Sequence, residues 1–363
     1  MASRFPSTTA RIGPLDQRVM AQARERQDSL TKPQGSLGRL EEISIWLAGV
    51  TADPMPEVRD KVIVTAAAVH GVAIQGVSAY PQEVTAQMVG NFLGGGAAIN
   101  VLARQVGARV VVVDAGVAAE LPPAAGLVSR PAGRGTADMS QGPAMSRHQA
   151  LACLEAGIEL GEAEVARGAD IVGVGDMGIG NTAAASAVVA AITGLSVAAV
   201  TGRGTGLGDE GLWRKVAVIE QALAQNAPDP QDALDVLAKV GGFEIGFLGG
   251  VMLGVAAARR PVVLDGFISG AAALIACGLC PRLAGYLLAS HRSAEPGHAA
   301  ILEHLGLRPL LTLEMRLGEG TGACLAMGLV EAALRCLREM ATFAEAGVST
   351  KGEAAAHGST GSP

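Results

Sequence analysis

The chain has 363 residues, of which 49% are hydrophobic and 17% are charged, which is enough apolar material for a sizeable core in one large domain or two ordinary ones. Its formal net charge is −6 and it has no run of Lys and Arg, so the composition argues against a protein that binds a nucleic acid backbone. Only 3% of the residues are aromatic, which favours close packing of helices on a sheet over stacking of bases on rings.

The two ends of the chain have helical patterns. Residues 12–50 hold two amphipathic helices around the segment KPQGSLGRLEE, and residues 321–345 form one long helical pattern. We expect an N-terminal helical segment, 1–58, to pack with the helix 321–345 as a small helical subdomain. The remaining tail, 350–363, is polar and low in complexity, which predicts disorder.

The middle of the chain, 59–320, reads as one large α/β domain. Short apolar, β-branched runs end in a glycine, a small residue or an acid, and a helical pattern follows each of them. They predict five parallel strands, at 62–68, 109–116, 169–176, 196–202 and 261–266. Strands that are apolar on both faces belong to a three-layer α/β/α sandwich of the Rossmann-like kind, with its ligand at the carboxyl ends of the strands.

A glycine loop follows the third predicted strand. In IVGVGDMGIGNT (171–182), Gly173, Gly175 and Gly178 form G-x-G-x-x-G just before a helix that opens at Asn181-Thr182, where free amides bind anions. A dinucleotide site needs an acid about 20 residues further on, and the next predicted strand ends in Thr201-Gly202 instead. The alternatives are a dinucleotide loop, a structural turn, and a mononucleotide phosphate or sugar site, of which we favour the last.

Two further loops are glycine-rich. TGRGTGLGDEG (201–211) offers Arg203 as a cation beside flexible amides, so it adds to the prediction of a phosphate pocket. RLGEGTGA (316–323) places Glu319 between Gly318 and Gly320, which leave its carboxylate open to a substrate. The local sequence leaves open whether Glu319 is a reactive group or a helix-capping glutamate.

Other features bear on the class of protein. The uncharged stretch 177–202 is 26 residues long, but Thr193-Gly194 divides it, so it predicts a buried unit of the sheet and no membrane span. The scattered cysteines and an N-terminus without the apolar core of a signal peptide indicate a cytoplasmic protein. Two pairs of residues could suggest a metal site, Cys277 with Cys280 and His291 with His298. Neither pair has the further ligands that such a site needs, so we predict no metal. We predict instead that the histidines belong to a substrate loop or cap a helix. The apolar helix at 243–258 is either core or a dimer surface.

Several blocks resemble one enzyme family. They include KPQGSLGRLE (32–41), HGVAIQGVSAYPQEVTAQM (70–88), GVGDMGIGNT (173–182), SHRSAEPGH (290–298) and LEMRLGEGTGA (313–323). In this order, and over about residues 12–345, they resemble the nicotinate-nucleotide:dimethylbenzimidazole phosphoribosyltransferase family.

The resemblance implies a pentosyltransferase of cobalamin synthesis. Such an enzyme moves the 5-phosphoribosyl group of nicotinate mononucleotide onto 5,6-dimethylbenzimidazole and gives α-ribazole 5′-phosphate and nicotinate. The family is homodimeric and needs no metal or other cofactor. The alternatives are a catalytically weak relative that only binds an aromatic base and, less favoured, an NAD-dependent oxidoreductase.

The resemblance also assigns residues. It makes Glu319 the general base, with Asp176 as a second catalytic carboxylate, and it places Tyr80, Met88 and Leu317 around the aromatic ring. The predicted substrate-binding set is completed by Gly175, Met177, Gly178, Gly180, Asn181, Thr182, Gly202, Arg203, Gly204, Ser290, Gly318 and Gly320. The chain departs from the family pattern at Val69, where Asp is common, and at Asp176, where Glu is common.

Overall fold

The computed structural model describes residues 3–349, so the tail predicted to be disordered, 350–363, lies outside the described residues. The chain divides into two compact units. The larger comprises the residues up to Pro14 together with Arg59–Met327, and the smaller comprises Leu15–Val58 and the residues from Gly328 onward. The domain boundaries predicted from the sequence remain a prediction, and they differ from these units at residues 1–14 and at the start of the C-terminal helix.

The strands are β1 Lys61–Ala68, β2 Ala108–Gly116, β3 Leu127–Ser129, β4 Ile171–Met177, β5 Val262–Leu264 and β6 Leu287–Ala289. The α-helices are α1 Arg4–Arg11, α2 Gln17–Ser29, α3 Arg39–Thr51, α4 Glu83–Leu93, α5 Ala98–Val106, α6 Arg147–Ala166, α7 Asn181–Thr193, α8 Val197–Val200, α9 Asp209–Asn226, α10 Ala233–Val240, α11 Phe243–Ala257, α12 Phe267–Leu279, α13 Pro296–His304, α14 Thr321–Glu339 and α15 Phe343–Ala346.

The six strands form one parallel sheet in the order β3-β2-β1-β4-β5-β6. Its central strand β1 is buried along its whole length, as expected for a sheet that helices cover on both faces. The predicted Rossmann-like α/β sandwich is therefore confirmed. The strand order reverses between β1 and β4, and in open sheets of this kind the crevice at such a reversal binds ligands.

One predicted strand is wrong and two strands were not predicted. Residues 196–202 contain the short helix α8 instead of a strand. The strand predicted there would follow β4 in the chain, but both edges of β4 are already paired, one with β1 and the other with β5. The strands β3 and β6 are only three residues long, too short for a periodic pattern.

The apolar helix α11 belongs to the core of the larger unit. Every residue from Phe243 to Ala256 is buried, and two glycines let α11 touch α6 directly. A Cβ added at Gly157 would lie 1.9 Å from the carbonyl oxygen of Phe247, and one at Gly250 would lie 1.9 Å from that of Leu154. Of the two alternatives for this helix, core is the correct one, so it gives no support to a dimer surface.

The smaller unit is helical. Asp16 caps α2 by accepting a hydrogen bond from the amide of Val19 at 3.0 Å. The Arg26 side chain of α2 donates to the carbonyls of Leu337 and Met340, at 3.0 and 3.2 Å, which joins the N-terminal helices to the C-terminal part of α14.

Among residues 3–349 no helix is both long enough and apolar enough to cross a lipid bilayer.

Candidate active site

A cavity of about 250 Å³ lies where β4, β5 and β6 end, within the larger unit. It is built by the loops that follow these strands, by loop 204–205 and by the segment 316–318. Of the predicted site residues, it is lined by Tyr80, Asp176, Met177, Gly178, Asn181, Thr182, Gly204, Leu317 and Gly318. Sequence segments far apart in the chain thus meet at one site, at the edge of the sheet where a ligand is expected.

The first glycine loop is shaped by close approach to β1. A Cβ added at Gly178 would lie 2.4 Å from the carbonyl oxygen of Ala68, so only glycine fits there. Gly180 has a φ of +95° and directly precedes α7, whose first residues, Asn181 and Thr182, line the cavity. The amino end of a 13-residue helix therefore opens on the cavity, which favours an anion.

A buried lysine that the sequence did not single out stands next to this helix end. Lys215 of α9 is fully buried, and its ammonium donates to the Oγ1 of Thr182 at 2.8 Å and to the carbonyl of Gly202 at 3.1 Å. A Cβ added at the cavity residue Gly204 would lie 3.2 Å from Lys215 Nζ. Burial lowers the pKa of Lys215 to about 8. Lys215 does not itself line the cavity, but its partner Thr182 and its neighbour Gly204 do. An ammonium has three donors, and two acceptors are found for this one among the described residues, which leaves one donor for an anion at this end of the cavity.

Arg203, the cation predicted from the second glycine loop, is directed elsewhere. Its side chain is half exposed, pairs with Asp209 at 2.5 Å, and is absent from the cavity lining. Arg316 lines the cavity instead and donates to the carbonyl of Gly204 at 2.9 Å, which ties the loop 202–206 to the segment before Glu319.

Glu319 lies in an unusual stretch of backbone. Gly318, Glu319 and Gly320 have φ values of +86°, +65° and +96°, and a non-glycine residue in this region stores strain of about 1–3 kcal/mol. The strained loop is held by the Glu319 amide, which donates to the carbonyl of Asp176 at 3.1 Å, and by Thr65 Oγ1, which donates to the carbonyl of Glu319 at 2.8 Å. Strain of this kind is concentrated at functional sites.

The carboxylate of Glu319 does not cap the helix that follows it. Asp265, at the end of β5, performs that role: its carboxylate accepts from the amides of Gly320, Gly322 and Ala323 at 3.1, 2.6 and 3.3 Å. Glu319 Oε2 instead accepts from the amide of Ile99, at the amino end of α5, at 3.1 Å. Glu319 therefore does not cap α14, and its carboxylate instead binds an amide in the first turn of α5.

Three buried carboxylates, those of Glu319, Asp265 and Asp176, lie in or beside this loop. Burial raises the pKa of Glu319, although the Ile99 amide opposes this, and burial raises the pKa of Asp265 to about 7. The pKa of Asp176 is raised well above its usual range, mainly by burial and next by the charges of Asp265 and Glu244. Asp176 lines the cavity and accepts from Asn181 Nδ2 at 2.8 Å, whereas Glu319 is not among the residues that line it. An acid with a raised pKa in a cavity, with two more beside it, is typical of a proton-transfer site.

The remaining predicted residues occupy supporting positions. A Cβ added at Gly175 in β4 would lie 2.1 Å from the amide nitrogen of Gly320, so this glycine admits the strained loop. Ser290 is buried and donates to the carbonyl of Asp265 at 2.9 Å. Met88 in α4 is partly buried and does not line the cavity, whereas the exposed side chains of Tyr80 and Leu317 do.

The two histidines of SHRSAEPGH have different environments. His291 lines the cavity, whereas His298 is buried and its Nδ1 accepts from the amide of Ser293 at 2.9 Å. Burial lowers the pKa of His298 to about 3. Within residues 3–349 no group of three or more His, Cys, Asp or Glu side chains is arranged to hold a metal ion.

The sequence offered different signals for the residues that were missed. Asp265 ends a predicted strand and precedes a glycine, which is a usable signal for a site residue. Glu295 stands in a block quoted for the family resemblance. Lys215 stands inside an ordinary charged helix, so nothing local distinguishes it.

Comparison with known proteins identifies the family. A family model described as phosphoribosyltransferase matches residues 12–348. The nicotinate-nucleotide–dimethylbenzimidazole phosphoribosyltransferase of Roseiflexus sp. (strain RS-1) is 63% identical, covering 97% of this chain and 99% of the relative, and that of Geobacter metallireducens is 56% identical, covering 94% and 97%. The crystal structure of CobT from Thermus thermophilus superposes with a TM-score of 0.88 at 52% identity, covering 92% of this chain and 99% of that one. The chain belongs to the nicotinate-nucleotide–dimethylbenzimidazole phosphoribosyltransferase family.

Proposed function

We propose that this chain transfers the 5-phosphoribosyl group of nicotinate mononucleotide to 5,6-dimethylbenzimidazole, giving α-ribazole 5′-phosphate and nicotinate for the lower ligand of cobalamin. The observation that carries the proposal is the cavity at the ends of β4–β6, which combines the amino end of α7, Lys215 beside it and buried carboxylates. A mononucleotide needs a binding site for its phosphate, and the transfer needs a group that accepts a proton. Phosphate-binding groups and buried carboxylates are both present within the larger unit.

The phosphate is assigned to one end of the cavity. The amides that begin α7, with the loop 202–206, give hydrogen bonds and a favourable dipole, and Lys215 adds a full positive charge. An ionised Asp176 would repel two phosphate groups laid across the loop, but its raised pKa favours the neutral form. The preference for a mononucleotide over NAD therefore rests on the single anion site at the start of α7.

The chemistry then follows from the charges that the reaction creates. A benzimidazole nitrogen attacks C1′ of the ribose while the bond from C1′ to nicotinate breaks, and its electron pair returns to the pyridinium ring, which becomes neutral. The new benzimidazolium must lose its N–H proton, and we assign that proton to Glu319. A carboxylate near the ribose also stabilises the positive charge that gathers on the ring.

Asp176 has a different role in this proposal. It faces the cavity, and a Cβ added at Gly318 would lie 3.2 Å from its carboxylate oxygens, so it stands beside the Glu319 loop. Its raised pKa favours a protonated carboxyl group, which can donate to or accept from a ribose hydroxyl. Tyr80 and Leu317 give the cavity an apolar side for the aromatic base.

We also propose a cytoplasmic homodimer, as the family resemblance implies. Light scattering of the purified chain measures its mass, and a fully active monomer would contradict the homodimer.

The direct test of the proposed function is product detection. The purified chain is incubated with nicotinate mononucleotide and, one at a time, 5,6-dimethylbenzimidazole, benzimidazole and adenine, and the products are identified by mass spectrometry. We expect nicotinate and a phosphoribosylated base in equal amounts. A base that binds without product would support the catalytically weak relative, and reduction of NAD with a hydroxy substrate would support the oxidoreductase.

A further inference from the structure

A second carboxylate in the cavity has no role in the proposed reaction. Glu295 precedes α13, lines the cavity and is almost fully buried, with a relative exposure of 6%. It does not cap its own helix, and its Oε2 has no hydrogen-bond partner among the described residues. A buried, unpaired carboxylate oxygen is unfavourable, so its retention here requires an explanation.

The surroundings of Glu295 connect it to Lys215. A Cβ added at Gly202 would lie 2.1 Å from Glu295 Oε2, so the carboxylate packs directly against the backbone of this glycine. The carbonyl of the same glycine accepts from Lys215 Nζ at 3.1 Å. Both recorded acceptors of the buried ammonium, Gly202 and Thr182, are neutral. Lys215 therefore depends on a nearby negative charge to remain protonated.

The charged groups around α9 bear on the protonation of Lys215. The helices α7 and α8, which pack against α9, carry no titratable side chain, and on α10 Asp235 is paired with Lys239 at 2.8 Å. The other charged side chains of α9 are paired, Asp209 with Arg203 and Glu210 with Arg214, or exposed, as Glu220 is. The charged or ionisable groups that line the adjoining cavity are Tyr80, Asp176, His291, Glu295 and Arg316. Of all these groups, Glu295 is the charge that favours the protonated form of Lys215, against the effect of burial.

We propose that Glu295 is a positioning residue of the phosphate site, whose buried carboxylate keeps the Lys215 ammonium charged and therefore able to bind the phosphate of the nucleotide. The inference rests on the proposed function for the identity of that phosphate. Glu295 itself does not contact the phosphate favourably, because two negative charges repel each other. It acts through Lys215, so its effect depends on pH.

The first arm of the test needs no nucleotide. The chain has five lysines, so 13Cε-lysine labelling gives few resonances, and Lys215→Gln identifies that of Lys215. In Glu295→Gln we expect the pKa of Lys215 to fall by about one unit, since a nearby opposite charge shifts a pKa by about this amount. Glu303→Gln, which removes an exposed carboxylate of α13, is the matched control and should leave the titration unchanged. An unchanged Lys215 titration in Glu295→Gln overturns the inference.

The second arm measures affinity for nicotinate mononucleotide against pH by calorimetry. We expect Glu295→Gln to bind about fivefold more weakly than the wild type at pH 8, where the shifted lysine has lost its proton, and equally well or better at pH 6. Equal weakening at both pH values would indicate a merely structural role and overturns the inference. In the Lys215→Gln background, Glu295→Gln should no longer shift the pH dependence. A wild type that binds no mononucleotide even at pH 6 would overturn the proposed function, while the lysine titration still decides the role of Glu295.

Discussion

Replacing Glu319 with Gln is expected to lower kcat by about two to four orders of magnitude, the usual cost of losing a general base. Glutamine is close in size and retains a carbonyl oxygen that can accept from the Ile99 amide, as Glu319 Oε2 does at 3.1 Å. The fold and the strained loop should therefore survive. The KM for nicotinate mononucleotide should change little, because its phosphate is assigned to α7 and Lys215. Steady-state kinetics at saturating 5,6-dimethylbenzimidazole measure kcat and the KM for nicotinate mononucleotide separately.

The pH profile gives a second readout of the same variant. Glu319 acts as a base only when it is ionised, and burial raises its pKa. In the wild type, kcat should therefore fall as the pH is lowered through this raised pKa, and Glu319→Gln should lack that acidic limb.

Asp176→Asn is the matched comparison for Glu319→Gln. Asp176 is also buried and has a raised pKa, but it lines the cavity and accepts from Asn181. We expect its loss to weaken nucleotide binding more than it slows the chemical step. Near-normal turnover in Glu319→Gln together with an inactive Asp176→Asn would show that the benzimidazolium proton goes to Asp176 and not to Glu319.

Replacing Lys215 with Met is expected to raise the KM for nicotinate mononucleotide by about 10- to 100-fold, with a smaller effect on kcat. A hydrogen bond to a charged group contributes about 1.5–3 kcal/mol, which corresponds to this range. Methionine fills a similar volume, and the position is fully buried, so the change removes the charge and leaves the packing nearly intact. The pKa of Lys215 is about 8. The difference between wild type and variant should therefore be largest below pH 8 and shrink as the pH rises above it.

Arg203→Met tests whether the other candidate cation binds the phosphate instead of Lys215. Arg203 is the cation that the glycine loop predicted, but it is half exposed and pairs with Asp209, whereas Lys215 is buried and bonds to the cavity residue Thr182. Its replacement should raise the KM much less than Lys215→Met does. A larger effect of Arg203→Met would mean that the phosphate lies at the mouth of the loop and not beside Lys215.

The sequence predicted the sheet well where its strands are long and covered on both faces. β1, β2 and β4 are apolar runs of seven to nine residues, whose pattern does not depend on their neighbours. The segment 196–202 has a similar composition but forms α8. Its local preference was overridden by strand pairing, because β5 occupies the place beside β4.

The site was predicted best at positions where only glycine allows the backbone conformation or the close contact. The loops 175–182 and 318–320 carry such glycines, and their close approaches and positive φ values are present in the structure. Lys215 could not be found in this way, since its role comes from burial against Thr182 and Gly202, which lie 33 and 13 residues away in the chain. Arg203 was chosen for its place in a loop, and its pairing with Asp209 depends on how that loop folds.

A crystal structure with bound nicotinate mononucleotide tests the central claim most directly, namely that the cavity at the ends of β4–β6 holds the nucleotide phosphate. We expect the phosphate within hydrogen-bond distance, about 3 Å, of the amides that begin α7 and of Lys215 Nζ, with the ribose directed toward Asp176 and the Glu319 loop. A phosphate beyond hydrogen-bond distance of both the 175–182 and the 202–206 loops would contradict it.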